Sequence, residues 1–270
     1  MTDIIIAVAI VAGIGILAGF LLAVLSKVMA VPVDEKAAEI EEILPGANCG
    51  SCGFSGCSGY AAALSSGKTT ETGLCNPGGN EVSQKIAEIM GLSAGTVTPM
   101  TAVVRCAGTP DKAQNKLDYD GVQSCQMASQ LFGGPKSCSY GCLGLGDCAR
   151  ACPYDAIMLC DGVAVVSPEM CRACKKCVAV CPKHIITLMP KGQLTAAVLC
   201  VNHDKGAKTR KDCTVGCIGC MKCVKACESG AVTVESFCAK VDPDKCTGCG
   251  KCAEQCPVGA IDLLNLAANI

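Results

Sequence analysis

The run CRACKKCVAVCP, Cys171 to Pro182, constrains this chain more than any other stretch. Thiols three residues apart in a tight loop converge on one point. That is poor geometry for disulfides, which need specific Cα separations, and good geometry for a shared metal centre. The spacing CxxCxxCxxxCP fits a 4Fe-4S cube wrapped by three cysteines, with the fourth, ahead of the proline, reaching a neighbouring cube. One such run therefore requires another.

Further runs are present. CTGCGKCAEQCP repeats the pattern with Cys246, Cys249, Cys252 and Cys256, and CIGCMKCVKACE with Cys217, Cys220, Cys223 and Cys227, where Glu228 replaces the proline. A fourth copy, CSYGCLGLGDCARACP, carries Cys138, Cys142, Cys148 and Cys152 but has Leu145 where its counterpart has Cys220. Cys138 is expected to supply the missing ligand, leaving its own counterpart Cys213 spare. Pairing adjacent runs gives two double-cluster ferredoxin modules. In the first, Cys138, Cys142, Cys148 and Cys181 hold one cube and Cys171, Cys174, Cys177 and Cys152 the other. In the second, Cys217, Cys220, Cys223 and Cys256 make one site and Cys246, Cys249, Cys252 and Cys227 its mate. The lead-ins AVVRC and AAVLC, and the segments DAIML and GAIDL after the cysteines, read as an internal duplication.

Composition agrees with metal-stapled modules. The chain has 270 residues, 26 cysteines, no tryptophan and 3% aromatics, so an ordinary aromatic core is absent. Small modules of this kind need staples, and cluster ligation would supply much of the folding free energy. Thiolates kept free for iron point to a reducing compartment. A net charge of -1, without a basic strip interleaved with aromatics, argues against nucleic-acid binding.

Residues 4–25 form an uncharged apolar run of the length a bilayer-spanning helix needs, about 20 residues. A signal peptide would open with positive charge and have a shorter apolar region. Here Asp3 precedes the run and Lys27 follows it. The expectation is a membrane anchor, with Lys27 and Lys36 orienting the C-terminal side toward the cytoplasm. Small residues at Gly15, Gly19 and Ala23 would let another helix approach. Residues 32–44 predict a short amphipathic helix beginning near Asp34.

LPGANCGSCGFSGCSGYAAAL followed by GLCNPGG places Cys49, Cys52, Cys57 and Cys75 in a glycine-rich loop with a returning fourth thiol, suited to one more cube. Four thiolates also suit zinc, so a zinc or metal-storage scaffold is the rival from a different class. The downstream runs favour iron-sulfur.

Together, the apolar run, ILPGANCGSCGFSGCSGYA, CNPGG and the tandem ferredoxin runs closely resemble the B subunits of the Rnf complexes, membrane-bound ferredoxin:NAD+ oxidoreductases that pump sodium ions or protons. The likeness covers essentially the whole chain, in the longer form found in anaerobes such as clostridia. The resemblance implies a subunit that takes electrons from soluble reduced ferredoxin and relays them to membrane or flavin-bearing partners. The same relay could serve another acceptor, such as a redox regulator or nitrogenase. No acid-base pair or NAD-binding loop is evident, so NAD+ reduction and ion movement fall to other subunits.

The expected architecture is therefore α+β: an anchor over 1–30, a 4Fe-4S domain with its spacer over 31–90, a connecting insert over 91–135, and ferredoxin modules over 136–192 and 193–270. Five 4Fe-4S clusters are expected. Cys106, Cys125, Cys160, Cys200, Cys213 and Cys238 are left over, enough for a sixth. Basic residues outnumber acids between 170 and 225, and Lys175 and Lys176, inside a cluster loop, are the sharpest candidates for docking an acidic ferredoxin.

Overall fold

A computed structural model describes residues 2–28, 34–192 and 194–266. The first helix, α1, spans Thr2–Val28. Its described side chains, those of Ile6 and residues 12–25, are exposed throughout, with Ile16, Leu17 and Phe20 each above 70%. Among the described residues no helix is long and apolar enough to cross a membrane.

An N-terminal unit follows, built from α2 (Glu35–Ile43), α3 (Cys57–Ser65) and α4 (Gly79–Met90). Asp34 caps α2, its carboxylate accepting the N–H groups of Lys36 and Ala37 at 3.1 and 3.3 Å, which satisfies orphan donors of the first turn. The helix expected as a spacer is part of this unit's core. Ile40 and Leu44 are buried against Tyr60, Leu64 and Ile86. Tyr60 supplies the one large buried ring and donates its hydroxyl to Glu71 O at 2.6 Å. Thr72 and Ser83 bond each other and both reach Gly95, so this buried polar corner is satisfied.

The rest of the chain consists of two copies of one plan. In the first, β1 (Met100–Val104) pairs antiparallel with β4 (Ile186–Pro190), and β2 (Ile157–Cys160) with β3 (Val163–Val166). In the second, β5 (Leu194–Val198) pairs with β8 (Ile261–Asn265), and β6 (Val232–Glu235) with β7 (Cys238–Val241). The lead-ins AVVRC and AAVLC are thus equivalent strands, β1 and β5. DAIML and GAIDL are not equivalent: the first forms β2, whose counterpart is β6, and the second forms β8, whose counterpart is β4. The stretch expected as an insert over 91–135 is divided as well, because Met100–Val104 is a strand of the first module. The true insertion lies between Cys106 and Cys138.

Each copy has a thin core of alanine, valine, isoleucine and cysteine around its thiols. The backbone turns tightly at the same place in both. Gly144 (φ +73°) and Gly219 (φ +66°) would carry a Cβ 2.4 Å from Gly162 O and 2.9 Å from Phe237 O, so only glycine fits there. The copies pack through Val103, Met189, Ala197 and Leu266. Arg105 of the first copy reaches into the second, donating to Val198 O and Cys200 O at 3.2 Å and to Ala239 O at 3.4 Å.

Candidate metal centres

In the N-terminal unit, Cys49 and Cys52 lie on a loop that turns through positive φ at Asn48, Gly50, Gly53 and Gly56. Asn48 accepts the Cys57 N–H at 2.8 Å, fixing the start of α3 against that loop. Cys75 returns from the short turn Thr72–Leu74. Burial pushes its thiol up to about 11, and the proximity of Cys57, Cys52 and Cys49 adds to the shift. The four sulfurs therefore share one locality.

In the first module, Cys171, Cys174, Cys177 and Cys152 face one another. Burial, then the neighbouring Cys171 and Cys174, push Cys177 up to about 12. The Ala102 N–H donates to Cys171 Sγ at 3.4 Å. The companion site departs from expectation. Cys142, Cys148 and Cys181 line a cavity whose fourth thiol is Cys125, not Cys138. Burial lifts Cys148 to about 11, with Cys142, Cys125 and Cys181 contributing. Cys125 opens a short helix, Cys125–Gln130, capped by Ser124. Asp147 clamps it in place by accepting from Ser124 Oγ at 3.0 Å and Gln126 N at 2.9 Å. The insertion thus carries in the thiol that Leu145 cannot supply.

Cys138 faces elsewhere. With Cys106, Cys200 and Cys213 it lines a cavity between the two modules. The arrangement is nearly two-fold: the Cys142 N–H donates to Cys106 Sγ and the Cys217 N–H to Cys200 Sγ, each at 3.3 Å. Asn202 donates from its backbone to Cys200 Sγ at 3.4 Å and from its side chain to Cys138 Sγ at 3.6 Å. Four of the six cysteines treated as surplus or spare, Cys106, Cys125, Cys200 and Cys213, thus join four-thiol groups. The sequence carried the signal, since Cys106 and Cys138 recur in the second copy as Cys200 and Cys213, but the recurrence was read as leaving Cys213 spare.

In the second module, Cys223 is pushed up to about 11 by burial and by Cys217 and Cys220; Cys256 stands at the position of Cys181. Cys252 is raised by burial and by Cys246 and Cys227, with Cys249 in the same loop. Of the two remaining cysteines, Cys160 is exposed and Cys238 is buried, donating to Cys200 O at 3.3 Å. Neither histidine joins a group; His203 Nδ1 donates to Ser236 O at 3.1 Å.

The donor sets are chemically those of iron-sulfur cubes: four thiols each, with backbone N–H groups aimed at sulfur. Four thiolates would also suit a tetrahedral zinc ion; the tandem CxxCxxC spacing, in which a fourth cysteine reaches a neighbouring site, is the iron-sulfur pattern. A cube spreads its four ligands over four irons.

Family models agree with this chemistry. Residues 164–187 and 239–262 match a 4Fe-4S binding domain, 217–231 another 4Fe-4S binding domain, and 44–77 a putative Fe-S cluster domain. Among curated proteins, the chain is 44% identical to the B subunit of the Na(+)-translocating ferredoxin:NAD(+) oxidoreductase complex of Acetobacterium woodii, over 86% of this chain and 69% of the relative. It is 38% identical to the proton-translocating counterpart of Clostridium ljungdahlii, over 85% and 81%. The B subunit of the ion-translocating oxidoreductase complex of Methanosarcina acetivorans is also 38% identical, over 88% and 90%.

Proposed function

Since this chain belongs to the B-subunit family of ion-translocating ferredoxin:NAD(+) oxidoreductase complexes, we propose that it relays single electrons through six 4Fe-4S centres, one more than the five its sequence predicts. The observation that carries this reading is contiguity. The Cys49 loop meets the Cys174 loop through Ser51 Oγ donating to Ala173 O and Lys175 Nζ donating to Ser51 O, both at 3.5 Å. Tyr154 lies within the field of Cys174, Cys49 and Cys75. Cys177 and Cys148 then link the two centres of the first module, Cys142 and Cys106 lead to the intermodular centre, and Cys200 and Cys217 lead out of it. The series ends at the centre of Cys227, Cys246, Cys249 and Cys252. Each cube stores one electron at a potential set by its hydrogen bonds, charge and exposure. The protein's share is to hold neighbours close and keep water from the sulfurs.

The direction of flow rests on exposure. Cys220 and Cys249, at the far end, are the exposed ligands, which suits entry of electrons from a soluble ferredoxin there. The other end follows α1 in sequence, and the uncharged apolar run over 4–25 is what supports a lipid-embedded tether, with the centres on the cytoplasmic side by the charge bias of Lys27 and Lys36. Membrane and flavin-bearing subunits of the complex would receive the electrons. Lys175, singled out as a docking residue by sequence, is engaged with Ser51 instead. Exposed Lys222 and Lys225 beside Cys220 and Cys223 are the better cations for an acidic donor.

Anaerobically purified chain is expected to contain about 24 iron atoms and to lose visible absorption on addition of dithionite. Colourless protein carrying zinc would refute the reading. Separately, Lys222→Glu with Lys225→Glu is expected to slow reduction by ferredoxin, more at low salt than at high, because screened charges steer less. Equal rates at both salts would exclude docking at this end.

A further inference from the structure

The intermodular cavity holds an unusual concentration of buried polarity. Among the described residues, Lys136 is the one charged side chain that is buried, at 5% exposure, and Asn202, at 1%, is the one buried side-chain amide. Both line this cavity, and so does Arg105. Lys136 Nζ donates to Gly108 O at 2.7 Å, and no carboxylate pairs with it among the described residues. Its charge instead bears on the thiol of Cys213 in this cavity and, more widely, on Cys142 of the adjoining centre. A buried cation is costly unless an opposite charge faces it, and the opposite charge available here is that of the cysteine sulfurs. The cysteines obey the two-fold relation but these groups do not. Arg105 stands where the second copy has Leu199, Asn202 where the first has Gly108, and buried Lys136 where the second has exposed Lys211.

We propose that Lys136, with Arg105 and Asn202, raises the potential of the centre held by Cys106, Cys138, Cys200 and Cys213, the one through which an electron passes between modules. The inference rests on the six-centre reading above. In the step concerned, a neighbouring cube is oxidised by one electron and this cube is reduced by one; no bond forms or breaks and no proton moves. Reduction adds one negative charge to the cube and its four thiolates. A fixed cation and amide donors directed at those sulfurs favour the more negative form, opposing the effect of burial, which disfavours it.

The test is a redox titration of the intact chain with its centres loaded, followed by electron paramagnetic resonance. The component in question is the one absent from a Cys106→Ala, Cys200→Ala chain. In Lys136→Met it is expected to move to lower potential by at least a tenfold change in its reduction equilibrium, about 59 mV for one electron, while the other components move less. Lys136→Arg should keep the original value, and Asn202→Ala should shift it in the same direction by a smaller amount. If the component is unmoved in both Lys136→Met and Asn202→Ala, with iron still at about 24 per chain, the tuning role is refuted and the sixth centre stands. Unsubstituted chain containing about 20 irons would refute the sixth centre itself. Loss of four irons in Lys136→Met, with the component unmoved in Asn202→Ala, would also overturn the proposal, because the lysine would then hold the site together without setting its potential.

Discussion

Replacing Cys125 with alanine is expected to lower the iron content from about 24 to about 20 atoms per chain and to stop electron passage between the ends of the series. Cys125 is buried in the cavity of Cys142, Cys148 and Cys181, and Leu145, the residue at the usual ligand position, has no donor atom. No other thiol can take over. Cys138 is committed to the intermodular cavity, and Cys160 is exposed on β2. The matched control is Cys160→Ala, which should retain all its iron. Iron analysis with the rate of ferredoxin-driven reduction of the Cys49 centre checks the prediction. A Cys125→Ala chain with full iron and normal throughput would mean that the insertion serves only as packing.

The second large effect is expected from Cys106→Ala combined with Cys200→Ala. These residues contribute one ligand from each copy to the shared cavity, so their loss removes one centre while leaving both sets of module thiols in place. Iron should again fall to about 20 atoms. The two halves should stay separately reducible by a small reductant such as dithionite, whereas electrons delivered by ferredoxin should remain in the half they enter. Freeze-quenched resonance spectra distinguish the outcomes. Prompt reduction of all remaining centres by ferredoxin would show that the modules communicate without the intermodular site. Arg105 still bridges to Val198 O, Cys200 O and Ala239 O in this variant, so the halves should remain attached.

Much of the architecture was legible in the residues because iron-sulfur ligation leaves a rigid local spacing. The three-residue rhythm at Cys171, Cys174 and Cys177, and at Cys246, Cys249 and Cys252, depends on a single tight loop, and a loop is local in sequence. The matching lead-ins AVVRC and AAVLC declared the duplication, and they are its equivalent strands. What sequence could not give was long-range. Cys125 reaches Cys142 and Cys148 only because Asp147 accepts from Ser124 and Gln126 across the insertion, and nothing in the spacing of Cys125 announces that contact. Cys138 was misassigned because only three residues separate it from Cys142, which looks like one loop. In the fold the Cys142 N–H points at Cys106, and the two thiols belong to different groups. The contact between loops is a case of the same kind, since Lys175 could be seen to lie in a cluster loop but not to face Ser51.

The intermodular cavity also imposes an order on biogenesis. On the six-centre reading, its ligands Cys106 and Cys138 emerge from the ribosome well before Cys200 and Cys213, so a cofactor there would be inserted only after the C-terminal copy has been synthesised and docked. The N-terminal centre, complete once Cys75 is made, can mature while translation continues. A truncated or stalled chain would thus carry its earliest cofactors and lack its central one, and maturation of that single site would report that both halves have come together.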